Sequence, residues 1–233
     1  IYVDPSRRSD HKGKVFLLED CVPDIAGNLD LLLGRSKHLL LKLSPVLDIQ
    51  AASVSLKCVK EIHVIAIRNE VKELLIRIEK NNSEQILIKT VNFRKDGRDH
   101  FESLYGPGEP APVSLPQKYL YEPNSAILKA GLFNQVSKQL SIPKLHNNSH
   151  LYTSEELISF PGRSFLIGGV YKYSPKEIKR KLALKKANIT TRNFQESVAQ
   201  IRKRTGIKEG GEDYLFFTTD THNRDAVIHC KKV

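Results

Sequence analysis

The chain has 233 residues, of which 40% are hydrophobic, and this suits one or two domains with buried cores. No apolar stretch approaches the roughly 20 residues that a membrane-spanning helix requires, and Cys21, Cys58 and Cys230 are widely spaced without a C-x-x-C pair. These features argue against a membrane protein, a disulfide-stabilised domain and a zinc site, and they predict a reduced, cytoplasmic setting. The formal net charge of +11 favours a polyanionic partner.

The first predicted element is a short apolar strand, residues 1–3, that ends on Asp4 with Pro5 directly behind it. Open α/β sheets present polar groups in this way at the carboxyl ends of strands, where they bind ligands. Arg7 and Arg8 could bind phosphate in bidentate fashion. From the residues alone, a turn signal beside solvated arginines is the simpler interpretation. Since no initiator methionine precedes the strand, we expect the chain to be the C-terminal part of a longer protein.

Residues 1–94 alternate between strand and helix patterns. Continuous apolar runs predict strands at residues 1–3, 38–43, 61–68 and 86–93. Apolar residues at spacings of three and four predict helices at residues 15–33, 44–57 and 69–80. Ser44 and Pro45 favour the start of the second helix as cap and first helical residue. The order β-α-β-α-β-α-β predicts an α/β sheet.

This region resembles the second half of a class I S-adenosylmethionine-dependent methyltransferase, from the fourth strand of its sheet to the seventh. The sequence D-P-S-R-R at residues 4–8 matches the place where that family lines its substrate pocket. The resemblance implies a partial Rossmann-like sheet, with Asp4 and Pro5 as catalytic residues and Arg7 and Arg8 as substrate-binding residues. Asp4 would accept a hydrogen bond from the acceptor or take its proton. Ser6 and Arg7 replace the proline and aromatic residue common in amino-methyltransferases, so the methyl-accepting atom stays open.

The family binds S-adenosylmethionine through a Gly-rich loop after its first strand and an acidic residue that ends its second. Neither feature is present here, because Gly106-Pro107-Gly108 lies in a Pro/Gly-rich stretch and opens no helix. The cofactor is therefore expected for the full-length protein, while this chain alone is expected to be inactive.

Residues 95–116 are rich in glycine, proline and charge, which predicts a linker between domains. Residues 117–160 then predict a small helical or ferredoxin-like segment, with a helix from Asn124 to about Leu140. His146 and His150 lie in an Asn-rich loop with no evident third ligand, so no metal site is predicted.

Residues 161–233 show the order β-α-β-α-β-β. Strand patterns cover residues 164–173 and 187–191, and residues 214–219 and 226–231 predict a hairpin. Capping boxes at residues 174–177 and 193–196 predict the two helix starts. The region resembles the THUMP-like domain at the C-terminus of an uncharacterised bacterial methyltransferase family. True THUMP domains in RNA-modifying enzymes bind RNA, so the resemblance implies RNA as the partner.

The charge is concentrated in residues 174–208, where eleven lysines and arginines stand against two glutamates. This excess makes nucleic acid the leading candidate partner. The candidate phosphate contacts are Lys176, Lys179, Arg180, Lys185, Lys186, Arg202, Lys203 and Arg204. Cations in the last turn of a helix are also favoured by the helix dipole, and a solvated surface remains an alternative. Four aromatic side chains could either stack on bases or pack in the core: Tyr171, Tyr173, Phe216 and Phe217.

Three functions remain open from the sequence. The first is the C-terminal part of a methyltransferase that acts on RNA, either tRNA or rRNA, through a nucleic-acid-binding C-terminal domain. The second is a non-catalytic RNA-binding module, and the third is a methyltransferase of small molecules or proteins. No membrane partner is predicted, and the sequence does not predict the oligomeric state.

Overall fold

The computed structural model describes residues 1–7, 18 and 21–233. These residues form two compact units. Unit 1 comprises Ile1–Gly108 and Asn124–Leu132, and unit 2 comprises Glu109–Pro123 and Phe133–Val233. Unit 1 thus extends past residue 94 and includes a short piece of the predicted ferredoxin-like segment.

Unit 1 contains the elements β1 (Tyr2–Val3), β2 (Ser6–Arg7), β3 (Cys21–Val22), α1 (Ile25–Arg35), β4 (His38–Leu43), α2 (Ile49–Ser55), β5 (Val59–Ile67), β6 (Glu70–Glu79), β7 (Leu87–Arg94), β8 (Gly97–Leu104) and α3 (Ser125–Ala130). Among the described residues, six strands form one sheet in the order β1-β4-β6-β5-β7-β8. The pairs β1–β4 and β5–β7 are parallel, whereas β6 runs antiparallel to both of its neighbours. The expected mixed α/β fold is therefore confirmed.

The predicted helix at residues 69–80 is wrong, because this segment is strand β6. The apolar residues have a spacing that also fits a strand, and Leu74, Ile76 and Ile78 are all buried on one face. Arg68 and Asn69 both have positive φ, at 51° and 63°, as a tight two-residue hairpin turn requires. The chain therefore folds straight back from β5 into β6.

The other helix predictions in unit 1 need shorter bounds. The helix predicted from residue 44 begins at Ile49, where the Asp48 side chain accepts a hydrogen bond from the Ala51 backbone. The helix predicted at residues 15–33 is observed from Ile25, after strand β3, and half of its predicted first part lies outside the described residues. The predicted linker contains strand β8.

Unit 2 contains β9 (Tyr119–Pro123), α4 (Phe133–Leu140), β10 (Tyr152–Ser154), β11 (Gly162–Lys172), α5 (Pro175–Leu182), β12 (Asn188–Arg192), α6 (Val198–Thr205), β13 (Asp213–Thr219) and β14 (Asp225–Lys232). In the described part of the chain these strands form one six-stranded sheet in the order β10-β9-β11-β14-β13-β12. The predicted β11, α5 and β13–β14 hairpin are observed. The predicted helix at residues 124–140 is divided by Gly131, whose φ of 70° ends α3.

Both faces of the unit 2 sheet carry apolar clusters. Phe216 packs with Phe165 and Ile228 in one cluster, while the neighbouring Phe217 packs with Ile178 and Ile201 in the other. This alternation follows from the side-chain period of two along a strand. Consequently the alternative of base stacking by Phe216 and Phe217 is wrong, since both are fully buried.

Tyr171 and Tyr173 also pack against a cluster instead of lying open for base stacking. The Tyr173 ring makes edge contacts with Phe194 and Phe217, and burial raises the pKa of its hydroxyl to about 12. The second capping box lies one turn later than predicted, at Ser197 and Gln200, and it starts α6 at Val198.

Candidate functional site

Asp4 stands directly after β1 and forms an ion pair with Lys42 of the adjacent strand. Parallel pairing aligns Val3 with Leu41, so the next residues along both strands, Asp4 and Lys42, are neighbours. The Lys42 Nζ lies 2.7 Å from the Asp4 Oδ2, and this hydrogen bond raises the pKa of Lys42. The pair thus keeps a carboxylate, half exposed, in a fixed place near the carboxyl ends of two parallel strands. Sequence reasoning missed Lys42, whose signal is a lone cation inside the apolar strand H-L-L-L-K-L.

The chain after Asp4 enters a short antiparallel ladder. Pro5 is half-buried, and β2 pairs with β3 so that Ser6 faces Val22 and Arg7 faces Cys21. This ladder fixes the backbone of Ser6 and Arg7 next to the Asp4 carboxylate. Arg8, the other predicted substrate-binding arginine, lies outside the described residues.

The described residues do not compose a site for S-adenosylmethionine. Gly106 and Gly108 have positive φ values of 144° and 67°, but they follow the antiparallel strand β8 and no helix begins after them. In the described ranges, no glycine-rich turn joins a parallel strand to a helix, which is the arrangement that places backbone N–H groups against a nucleotide cofactor.

A cavity of about 620 Å³ lies within unit 1, beside the loop that follows β4. Its lining combines apolar residues of α2, such as Ile49, with Tyr105 and the partly buried Lys129. The Lys129 Nζ donates a 2.7 Å hydrogen bond to the Leu47 carbonyl, and burial lowers the pKa of this amine. A cavity of this size falls within the range of small-molecule sites.

Two of the predicted nucleic-acid contacts in unit 2 are used to hold the fold. The Arg202 guanidinium donates hydrogen bonds to the carbonyls of Ile207 and Ala187, at 3.1 and 3.3 Å. Arg204 pairs with the Glu196 carboxylate at 2.9 Å. Both side chains therefore have local structural partners.

The remaining predicted contacts are exposed. Lys176, Arg180 and Lys203 point into solvent from α5 and α6. Lys179, Lys185 and Lys186 are brought together around one cleft of about 450 Å³, which also takes a fourth lysine, Lys208. Sequence reasoning missed Lys208 because it joins the others through a β-bridge between residues 186 and 208.

Neither histidine of the Asn-rich loop is arranged with other potential metal ligands. His146 hydrogen bonds with Asn193 and Asn223, and the His150 ring stacks on Phe133 with centroids 3.5 Å apart. Among the described residues, no group of three or more histidine, cysteine and carboxylate side chains could hold a metal ion. Within the same residues, no helix is long and apolar enough to cross a membrane.

Comparison with known families defines the class of the C-terminal half. A family model described as a ferredoxin-like domain matches residues 119–161. A second, described as THUMP domain-like, matches residues 162–232. The chain therefore carries a THUMP-like domain directly after a ferredoxin-like domain.

The whole chain is similar to a solved structure of a "putative methyltransferase" from Porphyromonas gingivalis W83. The two share 36% sequence identity with a TM-score of 0.90, and the match covers 100% of this chain and 59% of that one. The chain thus spans about three fifths of the length of that protein. The resemblance to a methyltransferase with a THUMP-like domain is confirmed. No match was found among the curated proteins.

Proposed function

We propose that this chain is part of an S-adenosylmethionine-dependent methyltransferase that acts on RNA, either tRNA or rRNA. The observation that carries the proposal is the similarity of all of this chain to part of the Porphyromonas gingivalis protein, together with the THUMP-like domain at residues 162–232. The excess of lysine and arginine in residues 174–208 supports nucleic acid as the partner. The candidate contacts are those named from the sequence, with Arg202 and Arg204 less available than the rest.

Unit 1 would supply the acceptor side of the reaction. Asp4 would accept a hydrogen bond from an amine of the target or take up its proton, and Lys42 would hold the carboxylate in place. Pro5 would hold the chain at the exit from β1. Arg7 and Arg8 would bind substrate phosphate, because a guanidinium matches phosphate oxygens in bidentate fashion.

We place the protein in the cytoplasm as part of the same proposal. Cys58 and Cys230 are free thiols, and burial raises the pKa of Cys230 to about 12. Unpaired cysteines of this kind suit a reducing compartment.

The proposal is tested by calorimetric titration of S-adenosylmethionine into this chain and into a longer protein that spans the full length of the Porphyromonas gingivalis relative. We expect only the longer protein to bind, because the described residues lack a cofactor cradle. If neither protein binds the cofactor, the methyltransferase proposal fails. If this chain binds the cofactor without the additional residues of the longer protein, the view that the cofactor site lies outside this chain is overturned.

The same two proteins separate the alternatives. A non-catalytic RNA-binding module would bind RNA, with an affinity that falls steeply as salt rises, but no cofactor. A methyltransferase of small molecules or proteins would bind the cofactor and show little RNA binding at physiological salt.

A further inference from the structure

The cleft at one end of α5 gathers four lysine ammonium groups from three parts of unit 2. Lys179 comes from α5, Lys185 and Lys186 from the turn that follows, and Lys208 from the segment after α6. All four lysines are exposed, and none has an ion-pair partner among the described residues. Of the described residues, the eight that line the cleft include no carboxylate.

The fold imposes this concentration of like charge. The Lys208 amide donates to the Lys185 carbonyl at 3.0 Å, and the Ala187 amide donates to the Lys208 carbonyl at 2.9 Å. Arg202 braces both sides through its bonds to the Ile207 and Ala187 carbonyls. The backbones that carry three of the lysines are thus tied together, so mutual repulsion is relieved by an anion more readily than by separation.

The partial negative charges at the ends of two helices offset only part of the positive charge of these lysines. The helices α5 and α6 both end at the cleft, where Ala183 and Gly206 adopt the left-handed conformation that terminates them. Each end presents roughly half a negative charge through its free carbonyls. Two such ends offset about one of the four positive charges, and the cleft remains strongly positive.

The lining also indicates which part of a nucleic acid would enter. Besides lysine, the cleft is lined by alanine, leucine, threonine and glycine, without an aromatic ring on which a base could stack. A volume of about 450 Å³ suits one or two nucleotides, whereas a duplex could only touch the rim. Phosphate groups of a single strand fit both the charge and the size.

We propose that the four lysines at positions 179, 185, 186 and 208 bind consecutive phosphates of a single-stranded stretch or end of the RNA, without reading its sequence. This inference rests on the proposed function and deepens it, because it locates the phosphate contacts in one cleft. It adds Lys208 to the predicted set and excludes Arg202 and Arg204, which act as structural braces.

The test measures binding of a fluorescently labelled oligouridine and of an RNA duplex to the full chain by anisotropy, over a range of salt. The double variant Lys185→Glu/Lys208→Glu removes the cleft charge. Its matched control, Lys172→Glu/Lys231→Glu, makes the same net change on exposed cations that neither line the cleft nor belong to the candidate contacts. Circular dichroism checks that each variant is folded.

We expect the cleft variant to weaken single-strand binding about tenfold or more and the control about threefold or less. Loss of two phosphate contacts should also reduce the slope of log affinity against log salt by about 1.4. Equal losses in both variants would overturn the cleft while leaving RNA binding intact, as would a clear preference for duplex. If the unaltered chain binds no RNA, the proposed function fails instead.

Should the double variant fail to fold, Lys179→Gln/Lys185→Gln replaces it, since both side chains are exposed. The expected loss is then smaller, about threefold, and the same control charges are neutralised for comparison. No loss relative to that control would again overturn the cleft.

Discussion

A single carboxylate organises the polar face of the unit 1 sheet. Glu61 on β5 accepts hydrogen bonds from Arg77 of β6 at 3.0 Å and from Lys89 of β7 at 3.1 Å, and its other neighbour at 3.1 Å is His63. The hydrogen bond from Arg77 is the largest of the causes that lower the pKa of Glu61 to about 2. One residue on the central strand therefore joins three strands through charge.

We predict that Glu61→Gln lowers the free energy of unfolding by about 2 kcal/mol at pH 7, because it leaves Arg77 and Lys89 without their shared partner. Since the folded pKa lies below the ordinary value of 4.5, the stabilisation is complete above pH 4.5 and is lost as pH falls towards 2. Urea unfolding at several pH values measures this. The exposed Glu70→Gln is the control, and a difference between variants that persists unchanged below pH 3 would contradict the assignment.

Asp4 is the residue to which the proposed function assigns proton transfer. In the longer protein, Asp4→Ala should reduce methyl transfer by about a hundredfold or more, while RNA affinity stays within about twofold. The variant Asp30→Ala serves as control, because this carboxylate is 86% exposed and its pair with Lys57 is long, at 3.7 Å. A radiolabelled methyl-transfer assay decides the matter, and transfer retained without the Asp4 carboxylate would refute its role.

Short elements in this chain depend on their caps. Asn124, only 3% exposed, starts α3 by accepting hydrogen bonds from the Ala126 and Ile127 amides at 3.0 and 3.1 Å. The helix has six residues, too few to be stable without its cap and its packing on the sheet. Its buried residues Ala126, Ile127 and Ala130 supply that packing.

Replacing Asn124 by alanine should therefore cost about 1 kcal/mol, and more if the buried amides find no other partner. Urea unfolding of the full chain should show a lower midpoint with an unchanged slope. The exposed Asn148→Ala provides the comparison. An equal midpoint for the two variants would show that packing alone holds α3.

How far the sequence predicts an element depends on whether its signal is local. Pro175 after a serine and Gly206 after a basic turn are local signals, and both mark the helix boundaries that the structure has. The β5–β6 hairpin has no such signal, because Arg68 and Asn69 are an unusual pair for two left-handed positions. Its apolar spacing also fits a helix, and only pairing with β4 and β5 decides between the two.

Across the whole molecule, the residues of the candidate sites are also predictable only where their signal is local in the sequence. Motif and charge density along the chain indicate Asp4 and most of the lysine group, whose functional roles stay predictions. Lys42 and Lys208 are not indicated in this way, because strand pairing and a β-bridge bring them to their partners from far away in sequence. Arg202 and Arg204 stay predictions as nucleic-acid contacts, and their carbonyl and carboxylate partners are not apparent in the sequence.

The chain passes between the two units more than once, since Asn124–Leu132 belongs to unit 1 although both of its flanks belong to unit 2. A protease that cuts near residue 108 would therefore leave a C-terminal product that still carries α3. In that product the apolar side of α3 would lose the sheet strands β5, β6 and β7 against which it packs. Cleavage at a single site is thus expected to yield a fragment that aggregates through this exposed apolar surface. The THUMP-like region is therefore better studied inside the intact chain.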